Sequence, residues 1–310
     1  MSIRLLLLVV LVLHVASVLF VHLRGRVRLP FKRQLFDHSG LFAPCNVLLY
    51  LFSAIPAQPY PPRSAFTCVE PLREQWRLIR EEALRLFDEG YIRAAERHGD
   101  AAFASFFKTG WKRFYLKWYD APLKSARVLC PRTVALLESI PQVKAAMIAV
   151  LPPGAVLKPH RDPFAGSIRY HLGLATPNSE DCHIVVDGER HAWRDGEDVL
   201  FDETYVHHVR NDTAQPRVIL FCDVERPLRG AAMRAFNRVL SRWLGRLTAT
   251  ANMGGEPVGA VNRAYGLAER MGCLRKRFKQ HSPGLYQSSR IVLALALLAW
   301  LLSPWLPHPP

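Results

Sequence analysis

The chain has 310 residues, of which 50% are hydrophobic and 22% charged, so it can bury a sizeable core and is not intrinsically disordered. Its 41 lysines and arginines against 26 acidic residues give a formal net charge of +15, which suits an anionic partner such as a nucleic acid, a membrane surface or a phosphorylated substrate. The six cysteines form no CxxC pair, which argues against a cysteine-ligated zinc site and favours reduced thiols.

The N-terminal segment is apolar from residue 5 to residue 23, which is enough for a membrane-spanning helix of about 20 residues. Only Arg4 precedes the apolar run. The basic residues directly after it are Arg24, Arg26, Arg28, Lys32 and Arg33. This order reverses the polarity of a cleaved signal peptide. We therefore expect an uncleaved transmembrane anchor over residues 1–23, with its downstream side in the cytoplasm.

The region after the anchor changes character twice. Residues 24–64 form a basic juxtamembrane region that ends in the proline-rich linker PAQPYPPRS. Apolar residues then recur at helical spacing up to about residue 110, which predicts a helical lead-in. From about 111 to 228, short runs rich in Val, Ile, Phe and Tyr alternate with Gly, Pro, Asn and Asp. That spacing predicts a mainly β core, a sandwich or barrel-like roll.

The C-terminal part is predicted to be basic and helical over residues 229–289, followed by a second membrane segment over 290–308. The run IVLALALLAWLLSPWL is short for a full span and contains Pro304, so an interfacial helix stays open. A span at each end would place the middle of the chain in the cytoplasm, with much of the positive charge beside the membrane. No zinc finger, RNA-binding signature or phosphate-binding Gly loop is recognisable, so we expect no nucleic-acid partner.

The motif HRD carries the candidate chemistry. His160 and Asp162 are two residues apart, so both side chains point the same way on a strand. Two histidines and one carboxylate on one face of the metal make a mononuclear non-haem iron(II) site. After a gap of 44 residues, His207 and His208 offer the third ligand. Only one of these neighbours can point inward on a strand, and the pattern alone leaves the choice open.

Three further residues are candidates for binding an anionic cosubstrate. Arg217 stands at the start of the apolar run RVILF, where a charge is costly unless it is paired with an anion. A dicarboxylate such as 2-oxoglutarate would supply that anion. Arg169 and His171 alternate on one face of another predicted strand and are candidates for the other end of the same molecule. An ordinary polar strand face is the alternative for this pair.

From about residue 147 to 227 the sequence resembles the aspartyl/asparaginyl β-hydroxylase superfamily of iron(II)- and 2-oxoglutarate-dependent dioxygenases. The matching motifs are PPG, HRDPF, RYHLGL, WRDGE, FDETYVHH and CDVERP. The resemblance implies a double-stranded β-helix (jelly-roll) core with flanking helices, O2 as oxidant, and a dioxygenase domain over residues 65–228. It implies that His207 is the distal iron ligand, that Arg217 binds 2-oxoglutarate and that Arg169 and His171 line the site. Asp162 stands where the eukaryotic peptide hydroxylases have glycine, so the metal triad is complete here.

Longer blocks resemble the bacterial lipid A 2-hydroxylases: VHLRGRVRLPFKRQLFDHS, FFKTGWKRFYLKWYD and HRDPFAGSIRYHLGL. That family implies a multi-pass protein of the inner (cytoplasmic) membrane with its catalytic domain in the cytoplasm. It also implies hydroxylation at the 2-position of a secondary acyl chain of lipid A or a precursor. No obligate protein partner is evident from the sequence. A basic group could meet lipid A phosphates or form a solvated face. Its members are Lys108, Lys112, Arg113, Lys117 and Lys124.

Two other functions remain open at this point. The superfamily permits a peptidyl Asp/Asn β-hydroxylase, although two membrane anchors have no evident purpose in such an enzyme. A non-catalytic membrane protein that binds anionic lipid would need neither iron nor 2-oxoglutarate. The complete HxD motif, the distal histidine and Arg217 count against this last function.

Overall fold

The computed structural model describes residues 3–92, 100–101, 103–119, 121 and 123–302. Its helices are α1 (Ile3–Leu23), α2 (Phe31–Phe36), α3 (His38–Leu41), α4 (Ala43–Leu51), α5 (Glu70–Glu74), α6 (Trp76–Asp88), α7 (Ala104–Phe107), α8 (Lys124–Leu129), α9 (Pro131–Glu138), α10 (Ala231–Thr248), α11 (Ala260–His281) and α12 (Pro283–Leu302), with a 3-10 helix at Arg63–Val69. Its strands are β1 (Lys112–Trp118), β2 (Val143–Leu151), β3 (Val156–His160), β4 (Ser167–Ala175), β5 (Cys182–Val186), β6 (Glu189–Ala192), β7 (Asp198–Phe201), β8 (His207–Asn211) and β9 (Arg217–Glu225).

The strands form two antiparallel sheets. One has the order β1-β2-β9-β4-β7 and the other has the order β3-β8-β5-β6. Strands β2 to β9 divide between the sheets as in an eight-stranded jelly roll, and β1 extends one edge. The predicted antiparallel β core with flanking helices is therefore confirmed.

The β5–β6 hairpin illustrates how the sequence sets the register. Asp187 and Gly188 both have positive φ, 52° and 90°, as a two-residue type I′ turn requires. Val186 therefore pairs with Glu189, and the strand places Val186 opposite His207 on its other side. The Asp187 carboxylate is used as well, since it accepts hydrogen bonds from the backbone N–H groups of residues 26 and 27.

The larger sheet is buried on both faces. Strands β2, β4 and β9 read as almost uninterrupted buried runs, because helices cover the outer face while the second sheet covers the inner one. Helix α6 packs against β4 through a stripe that includes Ile79, Ala83 and Leu86. The inner face of this larger sheet lines the space between the two sheets and carries enclosed polar side chains of β4 and β9.

Helix α1 is the one helix among the described residues that is long and apolar enough to cross a membrane. The expected C-terminal membrane segment begins on α12, whose described part does not meet the same criterion, and residues 303–308 lie outside the described residues. The two helices are in contact, with the Arg4 guanidinium 5.3 Å from the centre of the Trp300 ring. Val18 and Val21 of α1 are buried against Ala43 of α4.

The segment that follows α1 is fixed to the β core. Arg24 is buried between the rings of Tyr50 and Tyr205, and its Nη2 lies 2.7 Å from Oδ2 of Asp202. Its carbonyl oxygen accepts a hydrogen bond of 2.9 Å from Arg161, the residue between the two HxD side chains. The residue that follows the apolar helix α1 is thus bonded directly to the segment that carries the candidate metal ligands.

The described cysteine side chains, Cys45, Cys68, Cys130, Cys182 and Cys222, are free thiols, in line with the expectation from the sequence.

Candidate metal centre

Three side chains converge between the sheets, as the sequence predicts for His160, Asp162 and His207. His160 ends β3 and His207 begins β8, and the antiparallel pairing of these strands places the two residues opposite each other. Oδ1 of Asp162 lies 3.6 Å from Nε2 of His160 and 4.0 Å from Nε2 of His207. The three potential ligand atoms lie within 4.8 Å of one another, so one ion could bind all of them.

Both histidines are oriented by the backbone carbonyl of the residue two positions before them in the chain. Nδ1 of His160 lies 2.7 Å from the oxygen of Lys158, and Nδ1 of His207 lies 3.0 Å from the oxygen of Tyr205. Because a carbonyl only accepts, each Nδ1 carries the proton and each Nε2 keeps its lone pair for a metal. Burial lowers the pKa of His160 and lowers that of His207 to about 3. Both rings are therefore neutral near pH 7, as metal ligation requires.

His208 lies on the opposite face of β8. It is half-buried and pairs with Val185 on the neighbouring strand, whereas His207 is buried and faces Asp162. The geometry therefore distinguishes two histidines that the sequence pattern could not.

Asp162 is held by Arg169, the central residue of a buried charge cluster. Nη2 of Arg169 donates to Oδ2 of Asp162 at 2.8 Å, which leaves Oδ1 directed at the histidines. Nε of Arg169 lies 3.1 Å from carboxylate oxygens of both Glu203 and Asp223. Burial opposes ionisation of Asp162, but Arg169 and the histidines bring its pKa below the ordinary value. Arg169, expected to contact a cosubstrate, thus engages the Asp162 carboxylate in this structure.

Glu203 and Asp223 were not among the residues predicted from the sequence. Burial raises the pKa of Glu203 to about 8, because repulsion from Asp223 and Asp162 adds to desolvation while Arg169 opposes both. The pKa of Asp223 is raised by the same burial. One guanidinium cannot balance three carboxylates, so the cluster keeps a proton near pH 7. The signal was present in the sequence as acidic residues inside FDETY and CDVERP.

Arg217 lies elsewhere in the same cavity and is 2% exposed. Its guanidinium carbon lies 4.2 Å from the centre of the Trp193 ring, and its Nε has no hydrogen-bond partner. Within the described part of the chain, no carboxylate forms an ion pair with it. Burial without a counter-ion lowers the pKa of Arg217 to about 10. A guanidinium in this position is a ready binding site for an anion.

His171 lies between these two regions on β4. Both of its ring nitrogens are buried without a hydrogen-bond partner, and Nε1 of Trp193 is also unpartnered. The His171 ring is 5.0 Å from the rings of both Phe201 and Phe221. Burial, together with the charge of Arg217, lowers its pKa well below the ordinary value. Unpartnered buried polar atoms around Arg217 thus fit a ligand that carries hydrogen-bonding groups.

One pocket contains all six predicted residues: His160, Asp162, Arg169, His171, His207 and Arg217. Together with its open mouth it encloses about 400 Å³. The rest of its lining is apolar and consists of Phe106, Trp111, Leu157, Ile184, Phe201, Val209 and Phe221. Phe106 packs edge-on against the His160 ring at 5.0 Å, so an apolar wall stands next to the metal ligands.

The expected basic group is only partly available to a phosphate. Arg113 is buried and forms an ion pair of 2.9 Å with Asp100, and Lys117 donates to a backbone carbonyl at 2.9 Å. The expectation is wrong for Arg113, which is buried, while Lys117 is half-buried with its amine bonded to the Leu137 carbonyl. Lys108, Lys112 and Lys124 are exposed.

Comparison with known proteins places the site region in a family. The profile described as aspartyl/asparaginyl beta-hydroxylase matches residues 73–227. The ornithine lipid ester-linked acyl 2-hydroxylase of Rhizobium tropici is 37% identical over 125 residues, which cover 40% of this chain and 44% of that protein. The aspartyl/asparaginyl beta-hydroxylase of Homo sapiens is 29% identical over 217 residues, which cover 66% of this chain and 26% of that protein. The matches therefore span less than half the length of these relatives.

Among solved structures, a prolyl-4-hydroxylase of Pseudomonas putida is similar, with 19% sequence identity and a TM-score of 0.34. That similarity covers 49% of this chain and 87% of the other.

Proposed function

This chain belongs to the aspartyl/asparaginyl β-hydroxylase family, since the family profile covers half of its length, and we propose that it is an iron(II)- and 2-oxoglutarate-dependent hydroxylase of a lipid acyl chain. The proposed reaction adds a hydroxyl group to the 2-position of a secondary acyl chain of lipid A or a precursor. One observation carries the proposal: a histidine–aspartate–histidine triad and a buried arginine without a counter-ion open into the same apolar pocket.

The ligand set fits iron(II). His160, Asp162 and His207 supply two imidazole nitrogens and a carboxylate oxygen, which is the facial set of non-haem iron oxygenases. When bound there, iron(II) with 2-oxoglutarate supplies the oxygen activation that converts a C–H bond into C–OH, with succinate and CO2 as the other products. The protein contributes neutral imidazoles with free Nε2 atoms and an aspartate held by Arg169.

The surroundings of Arg217 fit the far carboxylate of 2-oxoglutarate. A bound carboxylate would neutralise the guanidinium and accept hydrogen bonds from Nε of Arg217, from the protonated ring nitrogen of His171 and from Nε1 of Trp193. No other described side chain competes for that role, because the pocket's other arginine, Arg169, is already surrounded by carboxylates. Arg217 therefore binds and orients the cosubstrate, while its burial excludes water.

The apolar wall supports an acyl chain as the substrate. A peptide Asp or Asn side chain would need a polar partner next to the metal, and the lining residues other than those with assigned roles are apolar. Phe106, Trp111 and Leu157 can instead hold methylene groups close to His160. The Rhizobium tropici relative is named as an acyl 2-hydroxylase, and the long sequence blocks noted above point to lipid A.

Matched variants of the adjacent histidines test the proposal. The full-length chain in detergent, with iron(II) and 2-oxoglutarate, is assayed for succinate and for oxygen added to lipid A, ornithine lipid and an Asp-containing peptide. We expect lipid A to gain one oxygen. His207→Ala should lose at least about 100-fold in rate, while His208→Ala should stay within about twofold. Equal activity of the two variants would refute the assignment of His207 as a metal ligand. Hydroxylation of the peptide alone would refute the lipid substrate and leave the metal site standing.

A further inference from the structure

Helix α10 has an unusual outward face. Its arginines recur every fourth residue and are all exposed: Arg234, Arg238, Arg242 and Arg246. The row beside them is apolar and also exposed, with Val239 at 54%, Trp243 at 63% and Leu247 at 37%. Residues four apart lie along one side of a helix, so a cationic stripe and an apolar stripe run in parallel. A soluble surface rarely exposes such a combination without a binding role.

The helix is firmly attached to the catalytic core by its other face. Phe236, Leu240 and Leu244 pack against Phe164 and Ala165, which follow the metal ligand Asp162 in the chain. The attachment is close, because Trp118 Nε1 donates to the Gly245 carbonyl at 3.1 Å and Asn237 Nδ2 donates to the Gly166 carbonyl at 3.0 Å. The exposed face is therefore held in a fixed relation to the metal centre.

Helix α10 begins near the C-terminal end of α1, where the apolar helix is followed by basic residues. Leu49 of α4 is buried in the cluster that α10 covers. The next residue, Tyr50, stacks on Phe20 of α1 and contacts the Arg24 guanidinium at 4.1 Å. Just before α10 begins, the backbone N–H of Arg229 donates to the carbonyl of Phe52 at 2.8 Å, so the start of α10 lies beside the end of α4 and near the point where α1 passes from apolar to basic residues.

We propose that the face of α10 formed by Arg238, Val239, Trp243 and Arg246 docks on the anionic headgroup layer of the membrane that α1 enters. Its apolar row enters the headgroup boundary, and its arginines pair with lipid phosphates. The charge of the stripe and its continuity with α1 through α4 select a bilayer as the occupant. Docking holds the metal pocket at a fixed height above the lipids. This surface goes beyond the proposed reaction and does not depend on it.

Photo-crosslinking of the full-length chain tests the docking. A benzophenone amino acid replaces Trp243, or Val128 on α8 as the control, since Val128 is also apolar and 76% exposed. Both proteins are placed in nanodiscs of phosphatidylcholine with phosphatidylglycerol, irradiated and weighed by mass spectrometry. We expect at least about five times more phospholipid adduct at position 243. Replacing Arg238 and Arg246 by Gln, or omitting phosphatidylglycerol, should lower that yield at least about threefold.

Equal lipid adducts at the two positions would overturn the proposal, as would an adduct at 243 to a second copy or to another protein when native membranes are irradiated. Hydroxylation is measured separately on the same samples. An inactive chain that still forms the lipid adduct would refute the proposed function but not the docking. An active chain that forms no adduct would refute the docking but not the proposed function.

Discussion

Replacement of Arg217 by methionine should separate stability from cosubstrate binding. Burial without a counter-ion lowers the pKa of the Arg217 guanidinium to about 10. At about 1.4 kcal/mol for each tenfold change in proton affinity, the buried charge costs on the order of 3 kcal/mol of folding free energy. This destabilisation is present in full below about pH 10 and is relieved only as the pH rises above that value, so it applies at pH 7.

Methionine keeps much of the side-chain volume and removes the charge, but it loses the contact with Trp193, which is worth about 1 kcal/mol. We therefore expect Arg217→Met to raise the free energy of unfolding of the ligand-free protein by about 1–3 kcal/mol. The same change should weaken 2-oxoglutarate binding by about 2–5 kcal/mol, or at least about 30-fold in Kd.

Thermal unfolding in detergent, with and without 2-oxoglutarate, measures both effects. At 100 times the wild-type Kd the ligand should stabilise the wild type by about 2.7 kcal/mol and the variant by no more than about 0.9 kcal/mol. Arg210→Met is the control, because Arg210 is an exposed arginine on β8 and should change stability by no more than about 0.5 kcal/mol. An Arg217 variant that is less stable than the wild type and that 2-oxoglutarate stabilises as much as the wild type would contradict this prediction.

Three further changes test the scaffold. Arg169→Lys keeps a charge but loses the planar guanidinium that contacts Asp162. The affinity for cobalt(II), measured by absorption titration, should therefore fall about 10-fold or more, and an unchanged affinity would contradict this prediction. Asp202→Asn leaves two buried arginines without their carboxylate and should lower the unfolding free energy at pH 7 by about 3–5 kcal/mol in denaturant titration. Burial opposes ionisation of Asp202, but those arginines lower its pKa. Its contribution to the unfolding free energy is therefore complete above about pH 4 and is lost in stronger acid. A difference in unfolding free energy between wild type and variant that stays constant down to pH 2 would argue against the ion pairs. Gly245→Ala would bring a Cβ to 2.5 Å from Cβ of Tyr119 and should cost about 1–3 kcal/mol in the same titration, whereas Gly272→Ala, with open space around it, should cost nothing.

The candidate metal ligands could be predicted from the sequence, because the spacing of the HxD motif has a direct geometric meaning. His160 and Asp162 are two residues apart, and a strand turns that spacing into a shared direction. The partnership with His207 depends on the antiparallel register of β3 and β8, which brings together residues that are far apart in sequence. Local patterns do not encode that register, so the choice between His207 and His208 needed the structure, or the resemblance to a family.

The partners of buried charges could not be predicted in the same way. Arg169 lies on the inward face of β4, as expected, but its acidic neighbours come from β9 and from the loop before β8. The same limit explains the error at Arg113, whose partner Asp100 lies on a separate segment of the chain. Composition identifies a charge, but only packing decides whether it meets another side chain, a ligand or water.

The most direct test of the proposed reaction is lipid A mass spectrometry under isotopically labelled molecular oxygen. A bacterial host that lacks 2-hydroxylated lipid A would express the wild-type chain or His160→Ala, and the fatty acids would be released and analysed by position. We expect one labelled oxygen atom at carbon 2 of a secondary acyl chain in the wild type and none in the variant. Label at that carbon in both strains, or in neither, would contradict this expectation.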